Sequence, residues 1–297
     1  MIFKHLYVIG NGFDLFTGLK TRYSDFRQWL NRNYIFVYEA LVSTYGITGE
    51  WWNDFENQLG KLDIPMYVSK YPAQEKTYTE ILEEICTRKE QEKMGDGIPN
   101  LYPYSSCAHR LEGLLDILQY CFEKWVQYEQ QCHRESKFTH ILKENSFFIN
   151  FNYTDTLERH YNIPEDQVLH IHGRASNHEH LVFGHDGSLG DTHNYDEEKV
   201  SEILGRYEKN PYIFIYRYDL FEKITNIEHI HILGFSFSDI DIPYIQWIAD
   251  HTSSNCDWEV SWFSEIDKIK IKDFLLYNPK LKGHFKLIQL SEKDNSE

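Results

Sequence analysis

The sequence lacks any basic block: 30 Lys and Arg residues are scattered among 46 Asp and Glu, for a formal charge of −16. A field of that sign repels nucleic acid and anionic lipid unless a local basic groove overrides it, so a nucleic-acid partner is disfavoured. Cysteine is scarce and unpatterned. Cys86, Cys107, Cys121, Cys132 and Cys256 are odd in number and form no CxxC, which argues against a disulfide framework or a zinc knuckle and fits reduced cytoplasmic thiols. No stretch approaches the roughly 20 apolar residues of a membrane span. The start, MIFKHLYVIGNGFD, has an apolar run too short for a secretory h-region and ends it in glycines, so a cytoplasmic protein with no membrane association is expected. Internal repeats and low-complexity tracts are missing too.

What is present is core-forming material. The composition is 41% hydrophobic and 16% aromatic, with 21 Tyr and 19 Phe, and 297 residues suffice for one large domain or two modest ones. Short β-branched and aromatic runs read as buried strands at 3–9, 146–151, 168–172, 181–184, 229–235, 258–263 and 285–290. Runs 3–9 and 229–235 lack clean alternation, as expected for strands covered on both faces. The expected class is therefore α/β: a Rossmann-like, mostly parallel sheet with helices on both faces.

Between the first two strands the pattern turns helical. Trp51, Phe55, Leu59 and Leu62 fall on one face, and Leu111, Leu114, Leu115, Leu118, Cys121, Phe122 and Trp125 form a longer stripe. A large helical insertion after the first βα unit follows, with residues 1–30 and 146–297 as the nucleotide-binding domain and 31–145 as the insertion. The charged, Gly/Pro-broken stretch 88–100 reads as a helix end and an exposed loop.

Four stretches carry chemistry. Gly10-Asn11-Gly12 follows a strand, where glycines admit positive φ and let a phosphate approach backbone N–H groups; a plain tight turn explains the same residues, and the third glycine of a GxGxxG is replaced by Leu15. NFNYTDTLE puts Asn152 at a strand's carboxyl end, with Thr154 and Asp155 as ligands or helix caps. In LHIHGR, alternation predicts that His170 and His172 point the same way. That pair can ligate a metal together with a loop running from His178 to His193, or His172 can act as a base, or it is an edge histidine with satisfied hydrogen bonds. In ILGFSFSDIDIPYI, capping explains Asp239 or Asp241, whereas Gly234 and Ser236 at the strand's end could meet a ribose or phosphate. GFSFS has Ser238 where a G-x-S-x-G elbow needs glycine, which disfavours a Ser-His-Asp hydrolase. Glu56 is a further carboxylate among core-spaced aromatics.

IGNGFD, FNYTDTLE, HIHG and LGFSFSDIDIPYI, in that order, resemble the bacteriophage abortive-infection AbiH family, and their order is also similar to sirtuin-like NAD-binding domains. The resemblance implies a glycine loop at the pyrophosphate, with Gly10, Asn11, Gly12, Asp14, Thr154, Gly234, Ser236 and Asp239 binding the nucleotide. It implies catalytic roles for Asn152 and His172, with Asp155 or Asp14 supplying negative charge. Thr154 stands where that family has an aspartate, and Asp14 where its loop has a serine, which bears on the reaction more than on the fold. With no paired cysteines for a zinc module, the implied activity is hydrolysis of the nicotinamide N-glycosidic bond of NAD, with no metal. Two other readings stand beside it: a non-catalytic nucleotide sensor, and a histidine-rich metal-dependent hydrolase. The insertion is expected to meet a phage or host protein trigger, and a homo-oligomer is compatible with the sequence.

Overall fold

The structure is a computed structural model describing residues 2–72, 80, 83, 87–94, 107–131, 142–177, 181–187, 189–211 and 218–289. Cys86, Cys132, His178, His180 and residues 95–106, which include the end of the expected exposed loop, lie outside the described residues. The chain divides into two compact units, one of Met1–Thr21, Glu129–His180 and Asn210–Glu297, the other of Arg22–Tyr128 and Leu181–Lys209. Among the described residues no helix is long and apolar enough to cross a membrane.

The first unit is built on six strands: β1 His5–Ile9, β2 Ser146–Asn150, β3 Val168–His170, β4 His229–Leu233, β5 Asp257–Trp262 and β6 Phe285–Gln289. Their order is β3-β2-β1-β4-β5-β6 and every pairing is parallel, so the sheet is Rossmann-like. Leu6 and Val8 bury on one face with side chains of the helices Tyr218–Ile224, Ile242–His251 and Glu265–Tyr277. Tyr7 and Ile9 bury on the other with Phe13, Leu157 and Tyr161 from the helices Asn11–Phe16 and Thr156–Tyr161. Double coverage is why β1 reads as a continuous apolar run.

Because the chain leaves β1 toward β2 but enters β4 on β1's other side, the carboxyl ends of β1 and β4 form the topological switch point. Three glycines meet there. Gly234 has φ +65°, and a Cβ on it would fall 2.1 Å from the Phe13 amide nitrogen. A Cβ on Gly10 would lie 2.6 Å from the Gly234 carbonyl oxygen, and one on Gly12 2.7 Å from the Gly234 Cα. The bare backbones allow Gly10 N–H to donate to Leu233 (3.0 Å) and Gly12 N–H to Gly234 (2.8 Å).

A polar ladder crosses the face that carries Tyr7. His5 Nδ1 and His231 Nε2 are 3.1 Å apart, His231 Nδ1 is 3.0 Å from Glu259, and Lys286 donates to Glu259 at 3.1 Å. Tyr7 stacks on His231 at 4.5 Å and His229 on His5 at 4.8 Å. Burial pushes the His231 imidazole down to about 4, against the pull of Glu259 and with the help of His5.

The second unit is helical around an aromatic core. Phe26, Trp52, Phe55, Phe122 and Trp125 are buried, with Trp52 stacked on Phe55 at 5.5 Å and Phe26 against Trp125 at 5.1 Å. The expected stripe of Leu111 to Trp125 lies on the helix Cys107–Gln130, whereas Trp51 lies in a 3-10 turn, Gly49–Asp54, Phe55 and Leu59 on the helix Phe55–Gly60, and Leu62 beyond it. Residues 181–184 form no strand, correcting the expectation for LVFG. They have no sheet to join: Phe183 buries its ring against Phe55 and Phe122, and Gly184 packs on the Tyr207 backbone. Glu56 is held by buried Lys209 at 2.8 Å. His185 is fully buried, its Nε2 on the Leu204 carbonyl and its Nδ1 accepting from Gly187 N–H, so both ring nitrogens serve the backbone.

Substituting Gly234→Ala adds left-handed strain and a backbone clash together, and should cost about 3 kcal/mol or more, against about 1 kcal/mol for Gly46→Ala, where φ is +62° but nothing lies within 4 Å. Denaturant midpoints check this, and equal costs would refute the close-approach argument. For His231, an unfolded value near 6.5 lies above the folded value of about 4, so the unfolded chain binds the extra proton. Its contribution is complete above pH 6.5 and is lost as pH falls toward 4, by about 3 kcal/mol in all. His231→Gln should flatten the thermal-midpoint profile in that window.

Candidate functional site

The candidate residues of the first unit lie on the loops leaving the carboxyl ends of β1, β2, β3 and β4. At β2 the loop is shaped by Asn150, which the sequence reading did not single out. Its Oδ1 accepts from Asn152 N–H at 2.9 Å and its Nδ2 donates to the Thr154 carbonyl at 3.4 Å, a side chain closing its own turn. Asn152 is thereby presented to β1, where its Nδ2 donates to the Gly10 carbonyl at 3.2 Å. Asn152 is 5% exposed, and its side-chain amide lies at the strand ends where a ligand hydroxyl could meet it.

Asp14 is fully buried in the first turn of the helix Asn11–Phe16. Thr154 donates to its Oδ2 at 2.6 Å, and Thr154 and Thr156 share a hydroxyl contact at 3.0 Å. Burial raises the Asp14 carboxyl to about 6, although the neighbouring Thr154, Thr156 and Asn152 side chains and the His170 charge pull it down. Asp14 thus ties the β1 turn to the β2 loop. Thr154, which neither caps the helix Thr156–Tyr161 nor faces solvent, is its partner.

Asp155 occupies the N-cap position of that helix without making a cap bond. Arg174 Nε holds one carboxylate oxygen at 3.1 Å and Arg159 Nε the other at 3.2 Å. His170 joins the same network, with Nε2 2.7 Å from Glu158 and Nδ1 3.4 Å from the Asn152 carbonyl. Asp155, Glu158 and His170 bring ligand atoms within 4.8 Å of one another, but both oxygens of Asp155 already face guanidinium groups, which oppose a divalent cation. The cluster is an ion-pair network bracing the helix to β3.

His172 parts company with His170, contrary to the expected alternation. β3 ends at His170 and the chain bends through the next two residues, so the strand's two-residue period no longer applies. The His172 ring, 3% exposed, lies against Phe151 (5.5 Å), Tyr153 (6.1 Å) and Tyr244 (6.2 Å). Its Nε2 faces Asp241 Oδ1 at 3.7 Å. The structure thus brings together Gly10, Gly12 and Gly234 with Asn152, Asp14 and Thr154, and sets His172 beside Asp241. Ser236 and Asp239 are exposed on the loop after β4, and Asn11 is exposed with its Nδ2 on the Thr21 carbonyl at 2.8 Å. A cavity of about 470 Å³ near the amino end of β2, lined by Lys143, Asn145, Phe148, Tyr161 and Gln167 among others, includes none of these residues.

Asn150, Thr156, Arg174 and Tyr244 went unrecognised in the sequence. Only Asn150 carried a signal, as a polar residue ending an apolar strand. For Asp14 the folded value near 6 exceeds the ordinary 3.8, so the folded chain holds its proton more tightly. That contribution is present below pH 4 and is lost as pH rises through 6, by about 3 kcal/mol. Asp14→Asn should therefore raise the thermal midpoint relative to wild type at pH 7.5 and steepen acid loss, whereas Thr154→Val should lower the midpoint at pH 7.5 by removing a donor from the carboxylate. Unchanged pH profiles in both variants would show that Asp14 is not desolvated.

Among comparisons with known proteins, the family described as Bacteriophage abortive infection AbiH matches residues 6–262. No curated protein and no solved structure gives a significant match. Because the matched stretch begins in β1, ends with β5 and contains every candidate residue from Gly10 to Asp241, the chain belongs to the bacteriophage abortive-infection AbiH family.

Proposed function

We propose that this chain acts in abortive infection by binding NAD or a related dinucleotide in a sirtuin-like manner at the carboxyl end of its Rossmann-like sheet and hydrolysing the nicotinamide N-glycosidic bond. Family membership points to abortive-infection defence. The observation that carries the finer reading is the switch point itself: in an open α/β sheet ligands bind where the strand order reverses, and here Gly12, Asn152 and the loop after β4 meet there.

Nicotinamide leaves as a neutral base, so no acid is needed at the leaving group. The bond breaks toward an oxocarbenium-like ribosyl cation, and the protein must hold the ribose, stabilise positive charge and direct a water. The Asn152 carbonyl suits a ribose hydroxyl. His172, in its box of aromatic rings, suits a proton acceptor for hydroxyl or water. Asp155 carries no step, since Arg159 and Arg174 neutralise it.

A second reading, binding without turnover, is favoured by Thr154, whose hydroxyl serves Asp14. The test uses phage-infected cells, which supply any trigger. Cellular NAD should collapse, with nicotinamide released, in cells expressing the wild-type chain, and the loss should fall about 100-fold or more with Asn152→Ala or His172→Ala. Protection from phage with undiminished NAD would eliminate hydrolysis, and calorimetric ADP-ribose binding would then identify the sensor.

A further inference from the structure

Asp241 stands at the N-cap of the helix Ile242–His251, with Pro243 in the first turn, and its place in sequence suggests a capping role. It makes no side-chain cap bond. Its Oδ2 instead accepts from Ser238 Oγ at 2.8 Å, and its Oδ1 is turned to His172 Nε2 at 3.7 Å. The two side chains are 14% and 3% exposed. They come from opposite sides of the switch point, His172 from the end of β3 and Asp241 from the loop after β4, with β2 and β1 between.

The surroundings make that contact consequential. Phe151 packs edge-on against His172, Phe235 (4.9 Å) and Tyr244 (5.2 Å), which walls the pair with rings and lowers the local dielectric. A carboxylate anchored through one oxygen, with the other aimed at an imidazole nitrogen, selects the Nε2–H tautomer and supports positive charge on the ring. At 3.7 Å the contact is longer than a hydrogen bond; catalytic pairs commonly tighten from such lengths only when substrate binds.

We propose that Asp241 is the positioning carboxylate for His172, orienting the ring and placing the proton on Nε2. Ser238 is the third member, holding Asp241 in place. The inference rests on the reading that His172 acts on a nucleotide, but the pairing is testable without turnover.

The test takes the full chain with ¹⁵N-labelled histidine, the His172 signal being assigned through its loss in His172→Gln. Wild type should show His172 as the Nε2–H tautomer, and Asp241→Asn should shift it toward Nδ1–H or a mixture, while Asp241→Glu should restore it in part. On NAD turnover in infected-cell extract, Asp241→Asn should lower kcat roughly 10- to 100-fold with KM within about threefold. A His172 signal unchanged in Asp241→Asn overturns the proposal. A tautomer shift in a chain that never turns over NAD upholds the pairing and refutes hydrolysis instead.

Discussion

The contact of Gly234 with Gly10 and Gly12 is what the carboxyl end of the sheet is arranged around. Neither turn has room for a side chain: the backbones lie where Cβ atoms would be, and Gly234 adopts a left-handed conformation to get there. The approach lets the β4 loop lie directly over the start of the helix Asn11–Phe16, bonded through Gly12 N–H. It leaves the Gly10 carbonyl turned to β2, where Asn152 takes it up. Glycine is thus used first for one loop to reach another, and the Asn152 position depends on that packing.

Aspartates in the same region meet three different solutions to burial. A desolvated carboxylate must be protonated, paired or hydrogen-bonded. Asp14 has the Thr154 hydroxyl on one oxygen and, among the described residues, no hydrogen-bond partner on the other, and its proton affinity rises. Asp155 has two guanidinium groups and is electrically spent. Asp241 accepts from the Ser238 hydroxyl and faces an imidazole. The last sets a carboxylate beside an imidazole, which is why the proposal turns on Asp241 and not on Asp14 or Asp155.

The parts of the fold readable in the sequence are those dictated locally. Apolar runs such as SFFIN, buried along their whole length, mark strands whatever surrounds them, and the stripe from Leu111 to Trp125 marks its helix by spacing alone. LVFG misleads because a short apolar run states that it is buried without stating against what; Phe183 found rings, not a strand. His170 and His172 separate because alternation holds only while the strand lasts. Gly10, Gly12, Asn152 and Gly234 were legible as neighbours because chain order puts them at strand ends. The fates of Asp14, Asp155 and Asp241 were not, since each depends on Thr154, Arg159, Arg174 or His172 arriving from another element.

The acidic character of the chain constrains the proposed chemistry. A formal charge of −16 works against binding a diphosphate, and Arg174 at the end of β3 is committed to Asp155 and Glu165. On the proposed reading the positive charge is already on the nicotinamide ring and passes to the ribose as the glycosidic bond opens, so a field spread over the whole chain acts on substrate and transition state alike. Only groups placed at the ribose, and not at the departing ring, discriminate between the two, and that discrimination is the only kind of binding that accelerates the chemical step. The proposed chemistry therefore depends on where the polar groups of the β2, β3 and β4 loops stand, not on the excess of acidic residues.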